Sequence, residues 1–198
     1  MLNNQEIRSF ISIELPEELK AGLFQLQTEL RSAGNTFIKW VAPEGIHLTL
    51  KFLGNITLQR VTEIIEAMEE ASQGFLPFQL ETGELGAFPN ARRSRVFWLG
   101  IYGDLDRLAT LQKRIDDALI PLGFPKEKRT FSPHITLARI RAKASLQDQR
   151  DFGELIAKTP SEVKYKIDVN SLNLMRSQLL PAGAVYIRLT EVSLKNFS

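Results

Sequence analysis

The chain predicts a fold of mixed strands and helices built as two similar lobes related by a pseudo-twofold axis, and two observations carry that expectation. Stretches that alternate with period two are interleaved with stretches whose apolar residues recur at helical spacing. A set of distinctive residues also returns at a fixed offset: Arg8, Phe10, His47 and Thr49 reappear 87 positions later as Arg95, Phe97, His134 and Thr136. In both halves Arg-x-Phe opens a strand and a helix starts about nine residues on, led by Glu17 or Asp104 where a carboxylate favours the helix dipole. His-x-Thr-Leu then arrives at the same distance.

Taken in order, "RSFISIE" (Arg8 to Glu14) alternates as a short strand, and Leu19, Leu23, Leu26 and Leu30 form the stripe of a helix that Gly34 stops. "TFIKWVAPEGIHLTLKFLG" reads as a short strand, a Pro-Gly turn and an apolar strand from about Ile46 to Leu53. Thr57 is placed to cap a helix reaching Ser72 with Val61, Ile64, Ile65 and Met68 inward. "FQLETGEL" and "RVFWLGIY" follow as strands joined through "AFPNARRS", then a helix from Asp104 to Leu119, then "TFSPHITLARI". A weaker helix from Ser145 to Lys158 precedes two long strand candidates, "KYKIDVNSLNLMRS" and "AVYIRLTEVSLK", around a Pro-Ala-Gly turn.

With 43% hydrophobic and 24% charged residues, the 198 residues suffice for one sizeable core. A net charge of +2 and a pI near 8.9 admit an anionic ligand but fall short of the footprint of a protein that coats duplex nucleic acid. The absence of cysteine rules out disulfides, a thiolate nucleophile and a cysteine zinc site, and suits a reducing cytosol. MLNNQEIRSF lacks a signal core, and no stretch approaches the roughly 18 apolar residues that span a bilayer. The expectation is a soluble, cytoplasmic protein with no membrane partner, residues 1–198 forming a single domain of two intertwined lobes.

On a strand, residues two apart share a face, so His47 and Thr49 point the same way about 6 to 7 Å apart, as do His134 and Thr136. Leu48, Leu50 and Phe52, like Ile135 and Leu137, are expected on the opposite, apolar face. If the lobes face each other, both imidazole and hydroxyl pairs meet in one cleft. Two imidazoles flanking a point suit phosphoryl transfer: with an ordinary pKa near 6.5, one ring can accept a proton from water while the other donates to the leaving oxygen. Threonine hydroxyls can hold the non-bridging oxygens. No HExxH accompanies the two histidines, and a catalytic zinc normally takes three protein ligands, so no metal is expected. A lone strand histidine is usually structural. Threonine is scarce enough, however, that chance would set one two residues after both histidines only about three times in a thousand.

The twin motifs "HLTL" (His47 to Leu50) and "HITL" (His134 to Leu137) resemble the HXTX motifs of the two-histidine (2H) phosphoesterase superfamily. "RSFISIELPEEL", "IHLTLKFLG", "GAFPNARRSRVFWLG" and "FSPHITLAR" resemble, in the right order, the RNA 2',3'-cyclic phosphodiesterases, the LigT-like or ThpR group. The resemblance covers most of the chain to about Arg139. It implies a bilobal α+β LigT-like fold, with an antiparallel sheet and flanking helices in each lobe around a central cleft. It also implies a hydrolase that opens a 2',3'-cyclic phosphate at an RNA end to a 2'-phosphate without metal or cofactor. By residue chemistry either ring could be acid or base. The resemblance assigns His47 as proton donor to the departing 3'-oxygen and His134 as proton acceptor from water, with Thr49 and Thr136 on the phosphate. The expected partners are RNA ends or nucleoside 2',3'-cyclic phosphates, with no obligate protein partner. Two alternatives stand beside it: a nucleotide- or RNA-binding module without turnover, and a 2H phosphoesterase for another small cyclic phosphate.

Further residues are weighed by position. Lys51 shares a face with His47 and Thr49 by alternation, although a lysine at a strand end is usually solvated. Arg139 falls opposite His134 and reaches the cleft only if the strand bends near Leu137. Phe10 and Phe97 are expected in the core rather than as platforms for a base. Arg92, Arg93, Arg95, Lys126, Lys128 and Arg129 are candidates to guide an RNA backbone, against the ordinary reading of a solvated face.

Overall fold

A computed structural model describes residues 5–31, 37–127, 129–160, 164–180 and 183–195. The alternating and helical stretches become β1 (Glu6–Ile13), α1 (Glu17–Arg31), β2 (Ile38–Trp40), β3 (Leu48–Thr57), α2 (Val61–Ser72), β4 (Phe78–Phe88) and β5 (Val96–Gly103). They continue as α3 (Leu105–Leu119), β6 (His134–Ile140), α4 (Leu146–Lys158), β7 (Lys166–Val169), β8 (Ser171–Leu180) and β9 (Gly183–Ser193). The stop at Gly34, the Pro181 and Ala182 positions of the predicted turn, and Lys128 lie outside the described residues.

Three local expectations change. Thr57 makes no side-chain cap, because a 3-10 turn over Leu58–Arg60 separates it from α2. The long strand candidate from Lys164 to Ser177 is split at Asn170 into β7 and β8, which pair with different neighbours. At α4 the cap is stronger than the helix pattern suggested: Ser145 and Asp148 form a reciprocal capping box, closing orphan amides at the helix start.

Among the described residues the strands form one antiparallel sheet in the order β7-β4-β5-β6-β3-β1-β8-β9, with β2 also on β6. Its halves are related as the repeat predicts. On one side of the centre lie β3, β1, β8 and β9, and on the other β6, β5, β4 and β7, each half beginning with its His-x-Thr strand. The halves are stitched at a single pair, Leu48 to Ile135. Both of these side chains are fully buried, and with Leu99, Leu137 and the apolar stripes of all four helices they belong to one core.

The repeat is shifted by one residue where Arg-x-Phe was read as equivalent. Phe10 pairs with Phe52, whereas Phe97 pairs with Ala138, so it is Ser12 and Trp98 that stand opposite the two motif threonines, Thr49 and Thr136. A one-residue slip reverses every side chain on a strand. Phe97 therefore lies in the core edge-on to Trp40 and Phe152, while Phe10, buried as expected, packs against His47.

In the second half, α4 seats directly on the turn Ala91–Arg93 because Gly153 carries no side chain. A Cβ there would collide with the Ala91 carbonyl oxygen. Gly153→Ala is expected to destabilise the protein by about 2 kcal/mol despite alanine's better helix propensity. A urea midpoint equal to or above that of the wild type would contradict this packing.

Candidate active site

The central pair sets the geometry. Because Leu48 and Ile135 stand opposite each other and point into the core, the residues on either side of them point to the other face of the sheet. Carrying the antiparallel register one step each way sets His47 against Thr136 and Thr49 against His134. Directly opposed side chains on such strands begin about 4.5 to 5.5 Å apart. All four motif residues are partly buried rather than sealed or fully exposed.

The two rings are held alike. His134 places Nδ1 2.7 Å from the Ser132 carbonyl, so that nitrogen carries a proton and donates to it. His47 likewise bonds the backbone of Gly45, two residues before it. Each ring is also wedged among aromatics: His47 stacks on Phe10 at 4.5 Å and meets Tyr186 edge-on at 5.1 Å, while His134 meets Phe88 edge-on at 5.0 Å. Phe88 in turn lies 5.0 Å from Trp98, whose ring occupies the space over Gly86 that a Cβ would need.

Burial pushes the pKa of His47 down to about 4, with the Lys20 cation adding to the fall and the bond to Gly45 opposing it. Unliganded, His47 is therefore neutral at pH 7. Tyr186 is pushed up by burial, against the pull of the Arg139 and Arg8 guanidiniums, which lie close enough to act on it.

Two β-bulges overturn the strict alternation read from the sequence. Along β3, Ile11 pairs with Lys51 and Ser12 with Thr49, leaving Leu50 as an extra residue. Along β6, Phe97 pairs with Ala138 and Trp98 with Thr136, leaving Leu137 extra. A bulge turns two successive side chains to one face and reverses those that follow. Leu50 and Lys51 are both buried and Phe52 emerges 56% exposed on the side of His47, within 6.2 Å of Phe10. Lys51 is thus neither solvated nor on the motif face; it sits in the core in an ion pair with Asp116 at 2.6 Å. In β6, Leu137 and Ala138 are buried and Arg139 emerges on the face of His134 and Thr136. Among the described residues Arg139 makes no ion pair.

Sequence reasoning missed Phe52, Phe88, Trp98 and Tyr186. Phe52 could be found only by foreseeing the bulge. Phe88 and Tyr186 meet the histidines through chain-distant packing and Trp98 meets Thr136 through strand pairing, which leaves no local signal. Of the basic candidates, Arg92, Arg93, Arg95 and Arg129 are exposed, and Lys126 pairs with Asp117 at 2.5 Å. Among the described residues no three His, Asp or Glu side chains are grouped so as to hold a metal ion, and no helix is long and apolar enough to cross a membrane.

Comparison with known proteins bears on this arrangement. The profile of the family described as "LigT like Phosphoesterase" matches residues 13–98 and 103–186. The RNA 2',3'-cyclic phosphodiesterase of Methanothermobacter thermautotrophicus is 31% identical over 181 residues, spanning 91% of this chain and 95% of the relative. The crystal structure of TT0787 of Thermus thermophilus superposes with a TM-score of 0.78 at 28% identity, covering 95% of this chain and 98% of that one. The fold is also that of E. coli LigT, crystallised with 3'-AMP, with a TM-score of 0.76 at 23% identity over 96% and 99% of the two chains.

Proposed function

The chain belongs to the LigT-like phosphoesterase family, and we propose that it is an RNA 2',3'-cyclic phosphodiesterase that opens a terminal cyclic phosphate to a 2'-phosphate. The observation that carries the reading is the Leu48 to Ile135 pair, with a His-x-Thr unit bracketing each partner on the face away from the core. That face offers what in-line displacement at phosphorus needs, namely one proton acceptor, one proton donor and hydrogen-bond donors for the oxygens between them.

In this scheme His134, with Nδ1 committed to Ser132, takes a proton from water through Nε2 as the water oxygen bonds to phosphorus. The bond from phosphorus to the 3'-oxygen breaks, and His47 gives that oxygen a proton. Thr49 and Thr136 donate to the non-bridging oxygens. Arg139, brought to the same face by the β6 bulge, supplies a cation to the charge that builds there. Phe52 offers an exposed ring beside Phe10 for the terminal base. A neutral His47 becomes a donor only when the substrate's negative charge raises its pKa, so substrate binding arms the acid. The lowered pKa of the free site also favours a second reading, in which the roles of the two rings are exchanged. The substrates are RNA ends or nucleoside 2',3'-cyclic phosphates, and the place of action is the cytoplasm, to which a cysteine-free chain is suited.

The test is turnover of a short RNA ending in a 2',3'-cyclic phosphate in excess EDTA. Opening to a 2'-phosphate at an unchanged rate is expected. A 3'-phosphate product, no turnover, or complete loss of activity on chelation would each reject the scheme.

A further inference from the structure

Both bulges are gripped by buried polar side chains, each reaching from the helix of the other half of the sheet. Gln27 of α1, fully buried, donates through Nε2 to the carbonyls of Val41 at 2.9 Å and Leu137 at 3.0 Å. Leu137 is the extra residue of the β6 bulge, and its carbonyl also accepts from the Val41 amide at 2.9 Å. In the other half, Lys51 directly follows the extra Leu50 of the β3 bulge. Its ammonium meets Asp116 of α3 at 2.6 Å and donates to the Pro125 carbonyl at 2.6 Å, while Gln112 donates to the second Asp116 oxygen at 3.0 Å.

Stability alone is a poor account of these groups. A buried ion pair is commonly matched or bettered by apolar residues of similar size, and a buried amide with an unbonded Oε1, as in Gln27, carries a desolvation cost. What they specify is register. If a bulge were lost from its strand, simple alternation would return and the side chains beyond it would change face, taking Arg139 or Phe52 off the cleft. We infer that Gln27 and the Lys51–Asp116 pair are positioning residues, which lock the two bulges and so aim Arg139 and Phe52 at the substrate. None of the three faces the cleft, and each acts only through the residue its bulge presents.

The inference rests on the proposed phosphodiesterase chemistry, and its test is a pair of double-mutant cycles on the cyclic-phosphate RNA. Gln27→Met is expected to lower kcat/KM by about tenfold to a hundredfold in the wild-type background, but by less than about twofold in an Arg139→Ala background, where there is nothing left to aim. The joint replacement Lys51→Met, Asp116→Leu, which leaves no buried charge behind, is expected to behave likewise against Phe52→Ala. Equal losses in both backgrounds would overturn the positioning role while leaving the chemistry intact. If Gln27→Met does not fold, the second cycle decides. A further readout needs no substrate: amide hydrogen exchange between Thr136 and Ile140 is expected to quicken by about tenfold or more in Gln27→Met while β8 is unchanged. Unchanged exchange there overturns the lock whatever the activity, and a fully active Arg139→Ala enzyme would count against the reading of the site rather than against the lock.

Discussion

Replacing either His47 or His134 by alanine is expected to lower kcat on a cyclic-phosphate RNA by about 10²- to 10⁴-fold, since in the proposed scheme each carries one proton transfer of the displacement at phosphorus. Both rings are only partly buried, so the variants should fold, and circular dichroism would verify it. The two losses should differ on a substrate whose bridging 3'-oxygen is replaced by sulfur, a leaving group that departs without protonation. That substrate rescues the variant lacking the acid and not the one lacking the base. Rescue of His47→Ala supports the roles given above, and rescue of His134→Ala instead would exchange them. A variant that keeps about a third or more of the wild-type rate would remove its histidine from the chemistry.

The second large effect is on stability. His47 titrates near 4 in the folded protein and near 6.5 when unfolded, because its ring leaves water to stack on Phe10 beside Tyr186. Between those values the unfolded chain holds the extra proton. Stability is therefore complete above pH 6.5 and falls as the pH drops towards 4, by about 3 kcal/mol from this one ring. Carboxylates contribute their own acid dependence, so the measurement is a difference: urea unfolding of the wild type and His47→Gln at pH 7, 5.5 and 4.5. The wild type should lose ground against the variant across that span. Parallel curves would show that His47 is not desolvated in the folded state, and substrate-armed protonation would lose its basis.

Much of the candidate site was legible because its geometry is local. His47 and Thr49, and His134 and Thr136, lie two residues apart on strands, and backbone stereochemistry alone puts each pair on one face. The strand and helix order followed from apolar spacing for the same reason. Lys51, Phe52 and Arg139 were assigned to the wrong face because alternation was carried through Leu50 and Leu137, and nothing in "TLKF" or "TLAR" announces an extra residue. Phe10 and Phe97 looked equivalent at an offset of 87, yet strand pairing separates them by one register step, so that of these two buried rings one packs on His47 and the other on Trp40 and Phe152.

The order of residues by itself determined the doubled architecture, the four motif residues and the type of proton chemistry they can perform, since these depend on side-chain identity and on spacing within single strands. Only the tertiary structure decided which other residues share their face and how far each ring is withdrawn from water. Those properties arise where strands from distant parts of the chain pair out of simple alternation, and desolvation belongs to the packed surroundings of a group rather than to its neighbours in sequence.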